Sequence, residues 1–182
     1  MQDKKKDNIL ISIIMNCYNG ENYLQESLNS IINQSYKNWE LIFWDNQSSD
    51  NSKKIFDSFN DKRFKYFYSD KHTTLYEARN LACEKTHGDF IAFLDCDDWW
   101  YDDFLSERES FFFNKQFKFS YSKFHYFFQK SDKFKINYEN ELPNGKIYDF
   151  LSKNYQVAIS GLIVSKDLLE KINFFNKEFN II

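Results

Sequence analysis

Three apolar stretches of strand length, residues 9–15, 40–44 and 90–94, each run straight into a polar cluster. The clusters are Asn16-Cys17-Tyr18-Asn19-Gly20, Asp45-Asn46-Gln47-Ser48-Ser49-Asp50 and Asp95-Cys96-Asp97-Asp98. Apolar runs without alternation fit strands covered on both faces, as in a parallel sheet. A shorter, more mixed run at residues 64–68 supplies a fourth strand. Segments of helical period lie between them. Leu24, Leu28, Ile31 and Ile32 fall on one helix face. Ser48 or Asp50 is placed to cap a helix carrying Ile55, Phe56 and Phe59. Leu75, Ala78, Leu81 and Ala82 form another stripe, with Gly88 expected to close that helix. This alternation predicts an α/β fold: a Rossmann-like, mostly parallel central sheet flanked by helices. Ligands in such folds bind at the carboxyl ends of the strands, where all three clusters lie.

The pattern loosens after Trp100. A helix is expected over 102–114, strands over 117–129 and 134–138, and a turn at Pro143-Asn144-Gly145. A short helix at 147–153, a strand at 157–164 and a helix at 166–172 follow. No repeat or linker interrupts this order, so residues 1–182 read as one domain, long enough for one core. A net charge of -3, with lysines scattered among acids, argues against a nucleic-acid binder. The 21 Phe and 12 Tyr reflect compositional bias rather than a stacking platform. Cys17, Cys83 and Cys96 lack C-x-x-C spacing and are odd in number, which points to reduced thiols in the cytoplasm. The run 9–15 is too short to span a bilayer and lacks a signal-peptide cleavage site.

The carboxylates carry the chemistry. Asp95, Asp97 and Asp98 directly follow a strand. Crowded carboxylates repel one another unless a cation compensates. Mg²⁺ is held by one or two carboxylates together with substrate phosphates. In isolation the tripeptide reads first as a solvated turn with Asp98 capping the next helix. Its position beside the other strand ends favours a site.

The segment Gly88-Asp89-Phe90-Ile91-Ala92-Phe93-Leu94-Asp95-Cys96-Asp97-Asp98-Trp99 resembles the signature of family 2 glycosyltransferases, which have the GT-A fold. So do residues 12–19, residues 44–50 and Glu77-Ala78-Arg79-Asn80-Leu81-Ala82, in the family's order and spacing. The resemblance covers residues 9–105, which become the nucleotide-sugar-binding half; residues 106–182 become an incomplete acceptor-side half. It implies that Asn16 and Tyr18 line the base pocket, with Tyr18 on the nucleotide or half-buried in the core. It implies that Asp45 or Asn46 accepts a base N–H. Asn46 departs from the usual acid, and Gln47 replaces a frequent Gly. Arg79 is implied to grip the diphosphate, unless it is a surface charge paired with Glu77 or Glu84. Residues 73–76 make the preceding loop bulkier than usual. Asp95, Cys96, Asp97 and Asp98 are implied to hold the nucleotide-sugar, with Asp95 and Asp97 as ligands of Mn²⁺ or Mg²⁺. Trp99 and Trp100 either wall the sugar site or pack in the core. His72, His87 and His125 lack metal-ligand spacing and read as surface or packing residues.

The family implies transfer of a sugar, with inversion, from a nucleotide diphosphate to a hydroxyl of a glycan or lipid-linked acceptor, in building bacterial surface polysaccharide. The general base is expected just after a segment like residues 174–182, where this sequence stops. Glu178 belongs to that lead-in and takes no role. The chain is therefore expected to bind donor and metal but to transfer poorly. Peripheral association with the inner face of the membrane is expected to come through sequence beyond Ile182. The alternative is a non-catalytic nucleotide-sugar-binding or interaction module. A nucleotidyltransferase fits less well, because residues 16–21 hold one Gly and no Lys or Arg.

Overall fold

The computed structural model describes residues 9–114, 117–153 and 157–176. Glu178 and the lysine-rich N-terminus, residues 1–7, lie outside the described residues. Eight strands and six α-helices are present among them: β1 Ile11–Cys17, α1 Leu24–Ile32, β2 Trp39–Asp45, α2 Ser52–Asp57, β3 Phe64–Tyr68, α3 Leu75–Cys83, β4 Phe90–Phe93, α4 Glu109–Phe113, β5 Phe119–Ser120, β6 His125–Phe128, β7 Lys133–Ile136, α5 Tyr148–Lys153, β8 Ile163–Ser165 and α6 Lys166–Lys171.

The central sheet has the order β3-β2-β1-β4-β8-β5. Its first four strands are parallel, and β8 and β5 join antiparallel. β1 and β2 are buried along their whole length, as unalternated apolar runs require. Alternate residues supply two cores. Ile11, Ile13, Met15 and Cys17 pack with Leu24, Leu28 and Ile31 of α1 and Phe56 of α2. Ile14, Ile42 and Phe93 face the other way, onto Ala78 and Ala82 of α3 and Leu169 of α6. The mostly parallel α/β sheet is the one expected from the sequence.

Several expected elements take a different form. The helix over 102–114 breaks into a 3₁₀ turn at Ser106–Arg108 and the short α4. The strand over 117–129 splits into β5 and β6, and β6 leaves the central sheet to pair with β7. The strand over 157–164 is a 3₁₀ turn at Ile159–Gly161 followed by β8. Neither Ser48 nor Asp50 is the residue that caps α2. Asn51 holds that position, while the Asp50 carboxylate accepts the Ser52 N–H and the Ser48 hydroxyl accepts the Asn19 N–H. Leu75 is exposed at the start of α3 rather than part of its buried stripe. Gly88 does not close α3, which ends at Cys83; it lies against the backbone of β1.

Candidate functional site

The carboxyl ends of β1, β2 and β4 meet, so the three polar clusters converge. Asp45 is almost fully buried at the end of β2. Its Oδ1 accepts the Ser48 N–H at 2.7 Å and its Oδ2 accepts the Tyr66 hydroxyl at 2.6 Å. Burial and this neighbouring carboxylate push the Tyr66 phenol well above its ordinary range. Asn46 is held on all sides. Its Nδ2 donates to the Thr73 carbonyl at 2.8 Å, and its Oδ1 accepts from the Thr73 N–H and hydroxyl, each at 3.1 Å. The amide therefore fixes the loop ahead of α3. Gln47 adopts φ 73°, the left-handed region that glycine favours, and Nε2 donates to the Asp70 carbonyl at 3.0 Å.

That loop presents His72 to Tyr18. Their ring centroids lie 4.4 Å apart, and Tyr18 is 54% exposed at the end of β1. Tyr18 is thus a surface aromatic rather than a core residue. Asn16, one residue pair back, is buried and its Nδ2 has no hydrogen-bond partner among the described residues. Strand alternation puts it on the Ile14 face, toward α3.

Thr74 caps α3 by accepting the Glu77 N–H, and that start sets the face carrying Arg79. Arg79 is 6% exposed. It pairs with neither Glu77 nor Glu84. Its Nη2 donates to Asp95 Oδ1 at 2.8 Å, and the guanidinium lies 5.9 Å from the centre of the Phe175 ring. A cation is thus held under the acidic turn.

Residues Asp95–Asp98 form that turn, closed by Asp98 N–H donating to the Asp95 carbonyl at 3.0 Å. Cys96 points its thiol inward. A Cβ on Gly20 would sit 2.9 Å from Cys17 Sγ and 3.0 Å from Cys96 Sγ. The two thiols share a hydrogen bond: Cys17 is drawn down to about 7, foremost by Cys96, while Cys96 is pushed up by the same bond and by burial. Ser27 of α1 donates to the carbonyls of Cys96 and Asp98, tying the turn to the core. Asp98 does not cap a helix; its Oδ2 accepts the Ser160 hydroxyl. Ser160 also accepts the Asp95 N–H at 3.2 Å and receives the Trp100 indole N–H at its carbonyl, at 2.6 Å. Trp100 is core, stacked on Phe104.

On the far side of the turn is a cavity of about 810 Å³, lined by Asp97, Asp98, Trp99, Tyr101, His125 and Phe127 among others. It does not reach Tyr18, Asp45 or Arg79. The acidic turn therefore separates the face carrying Tyr18, Asp45 and Arg79 from an aromatic cleft. His87 is exposed at 3.3 Å from Glu40, far from both. Sequence reasoning did not find Tyr66, Thr73 or Ser160. Each acts on a site residue distant in sequence, and none belongs to a motif.

Among the described residues, no three His, Cys, Asp or Glu side chains converge into a metal cage. The donor set nonetheless suits a hard cation that takes its remaining ligands from a diphosphate. Although Asp98 is exposed as a residue, partial loss of water around its carboxylate raises its pKa first, and the charges of Asp95 and Asp97 add to it, against the Ser160 hydrogen bond. Asp98 thus sits within the field of two neighbouring carboxylates, which a bound cation would relieve. A raised folded pKa means that the folded state keeps the proton longer. Asp98 therefore costs nothing below the ordinary carboxylate pKa, and its cost grows as pH rises through the raised value. Asp98→Asn is expected to raise Tm at neutral pH and to leave it unchanged in acid. Melting curves at the two pH values check this; an equal gain at both would refute it.

The family model for glycosyl transferase family 2 matches residues 12–172. The chain belongs to that family. It is 32% identical over 168 residues to the Escherichia coli UDP-Glc:alpha-D-GlcNAc-diphosphoundecaprenol beta-1,3-glucosyltransferase WfgD, covering 92% of this chain and 65% of WfgD. It is 28% identical to the putative teichuronic acid biosynthesis glycosyltransferase TuaG of Bacillus subtilis, covering 92% and 66%. The chain thus spans just under two thirds of these family members. The GT-A fold is shared with S. aureus TarS in complex with UDP-GlcNAc, at TM-score 0.72 and 20% identity over 93% of this chain and 49% of that one. The mannosyltransferase PcManGT from Pyrobaculum calidifontis, in complex with GDP-Man and Mn²⁺, superposes at TM-score 0.69 and 16% identity, covering 92% and 48%.

Proposed function

We propose that this chain forms the donor-binding part of an inverting, metal-dependent glycosyltransferase. It would transfer sugar from a nucleotide diphosphate to a hydroxyl of a glycan or lipid-linked acceptor in bacterial surface polysaccharide synthesis. The observation that carries this reading is the buried Arg79 guanidinium paired with Asp95 at the end of β4. A buried cation at a strand end, one turn from exposed Asp97, is arranged for a diphosphate.

The residues divide the work. Tyr18, backed by His72, offers a ring face to the base. Asp45, fixed by Ser48 and Tyr66, offers an acceptor for a base N–H. Asn46 acts by holding the loop that carries His72. The unpartnered Asn16 Nδ2 would recover its hydrogen bond from a ligand oxygen; an unmet buried donor costs about 1–3 kcal/mol. Asp95 and Asp97 would hold Mn²⁺ or Mg²⁺, which when bound neutralises charge developing on the leaving diphosphate. Arg79 adds to that electrostatic stabilisation from the buried side. Cys96 serves the turn from beneath, through packing. The aromatic cleft beyond Asp97 and Asp98 is the place for the acceptor sugar, since ring faces suit sugar C–H faces. The attacking hydroxyl needs a general base, which is left unassigned.

UDP-sugars are the first donors to test, because the name of WfgD specifies UDP-Glc. UDP-Glc at about 100 times its Kd should raise Tm by roughly 5–10 °C. Mn²⁺ should enlarge the shift in the wild type, and Asp97→Ala should lose that enlargement. The reading fails if no nucleotide-diphosphate sugar shifts Tm with either metal. Absence of binding to every nucleotide diphosphate would instead favour an interaction module.

A further inference from the structure

The β6–β7 hairpin stands apart from the central sheet, and its two faces differ. Antiparallel partners share a face, so Phe127 and Phe134 lie on one side, with His125 and Ile136. That side packs toward the aromatic cleft: Phe127 meets Trp99 edge-on at 5.6 Å, and His125 meets Tyr101 at 6.2 Å, while Phe134 is 55% exposed and Tyr126 and Phe128 border the same cleft from the hairpin's rim. The register puts Tyr126 opposite Lys135 and Phe128 opposite Lys133 on the other side. Tyr126 is 52% and Phe128 50% exposed, and both lysines are exposed. Lys130 adds a further exposed charge at the turn. From 123 to 136 the chain has four lysines against Asp132 alone, within a protein of net charge -3.

We infer that this outer face docks onto an anionic lipid bilayer. Aromatic rings with ammonium groups around them suit a membrane interface: the rings enter the headgroup region and the lysines meet anionic lipid. The charge decides between occupants. A second copy seated two-fold on this face would bring Lys133 and Lys135 against their own counterparts. The scattered acids elsewhere in the chain disfavour a nucleic acid. Docking here would hold the cleft beside Asp97 and Asp98 close to the membrane surface, with the hairpin between them. The inference does not depend on the transfer chemistry, and its test needs no turnover.

The 182-residue chain is floated with vesicles of phosphatidylcholine alone and of phosphatidylcholine mixed with phosphatidylglycerol. Binding is expected to the mixed vesicles, weakening with added salt. Lys133→Glu with Lys135→Glu should reduce it at least tenfold. Tyr126→Ser with Phe128→Ser should remove the part that survives high salt. The conservative pair Lys133→Gln with Lys135→Gln, checked for folding by circular dichroism, repeats the test should the glutamates unfold the hairpin. The proposal is overturned by absence of vesicle binding, by equal binding to neutral and anionic vesicles, or by folded lysine variants that still bind. It is also overturned if the lysine variants abolish a dimer, or if the chain prefers single-stranded nucleic acid to the vesicles.

Discussion

Replacing Arg79 with Ala is expected to weaken nucleotide-sugar binding by about a hundredfold or more while leaving the chain folded. The two effects separate because the two partners differ in exposure. Arg79 is 6% exposed, whereas the Asp95 side chain is 34% exposed. Breaking a fully buried ion pair costs about 3–5 kcal/mol, because the surviving charge stays out of water. Here water reaches Asp95 and screens the loss, so about 1–2 kcal/mol is the expected destabilisation. Binding has no such recourse. A diphosphate needs a fixed cation on its buried side, and the guanidinium fork is preorganised there by α3 and Phe175. Arg79→Lys keeps the charge but loses the fork, and should fall between the wild type and Ala. Calorimetric titration of a UDP-sugar checks the series; an unchanged Kd in the Ala variant would remove Arg79 from the site. If Arg79 and Asp97 serve one diphosphate, the double variant should lose less than the two singles combined.

The first half of the molecule was legible because its strands are buried on both faces and its helices carry clean apolar stripes. Near-continuous runs such as 40–44 leave few alternatives to a central parallel strand. Strand ends then placed the polar clusters together without any knowledge of contacts. The second half obscured its own pattern. In a stretch such as 117–129, aromatics and lysines alternate too loosely to show where a strand leaves one sheet for another. The short β8 is set by antiparallel pairing with β4, and β5 by pairing with β8, tertiary effects that residues 157–164 and 117–129 do not encode locally. Site contacts failed for a similar reason. Helical spacing offers Arg79 its neighbours Glu77 and Glu84, but its real partner, Asp95, arrives through the packing of α3 on the sheet. Ser160 joins Asp95, Asp98 and Trp100 from a turn 60 or more residues away. Gly88 misled because glycine has two uses: positive φ at a helix end, and absence of a side chain where backbones touch.

The second use makes Gly88→Ala the most damaging single-methyl change expected in this chain. A Cβ there would lie 2.6 Å from the Leu10 carbonyl oxygen, 2.6 Å from the Ser12 nitrogen and 2.8 Å from Ser12 Oγ. Two of these atoms are backbone, in β1 and the residue just before it, and cannot rotate away. The third belongs to a buried network: Gly88 N–H donates to Ser12 Oγ at 2.8 Å, which donates to Glu40 Oε1 at 2.6 Å. The same Glu40 oxygen accepts the His87 N–H at 2.7 Å. Relieving the clash therefore means parting β4 from β1 and leaving a buried carboxylate short of donors. A cost of about 3–4 kcal/mol is expected, lowering Tm by roughly 6–16 °C. Gly145→Ala provides the contrast. Its φ is 81° but nothing lies within 4 Å, so only conformational strain of about 1 kcal/mol applies. Urea unfolding of both variants checks the ranking, and a Gly88→Ala cost no larger than that of Gly145→Ala would refute the close-approach argument. The damage should also reach the site. β1 and β4 run in register from Ile11 opposite Phe90 to Ile14 opposite Phe93. A wedge at the start of β4 therefore shifts its far end, after which Asp95 meets Arg79. Nucleotide-sugar affinity should fall in Gly88→Ala even in the fraction that remains folded, although Gly88 lies at the opposite end of the strand from every residue proposed to touch the ligand.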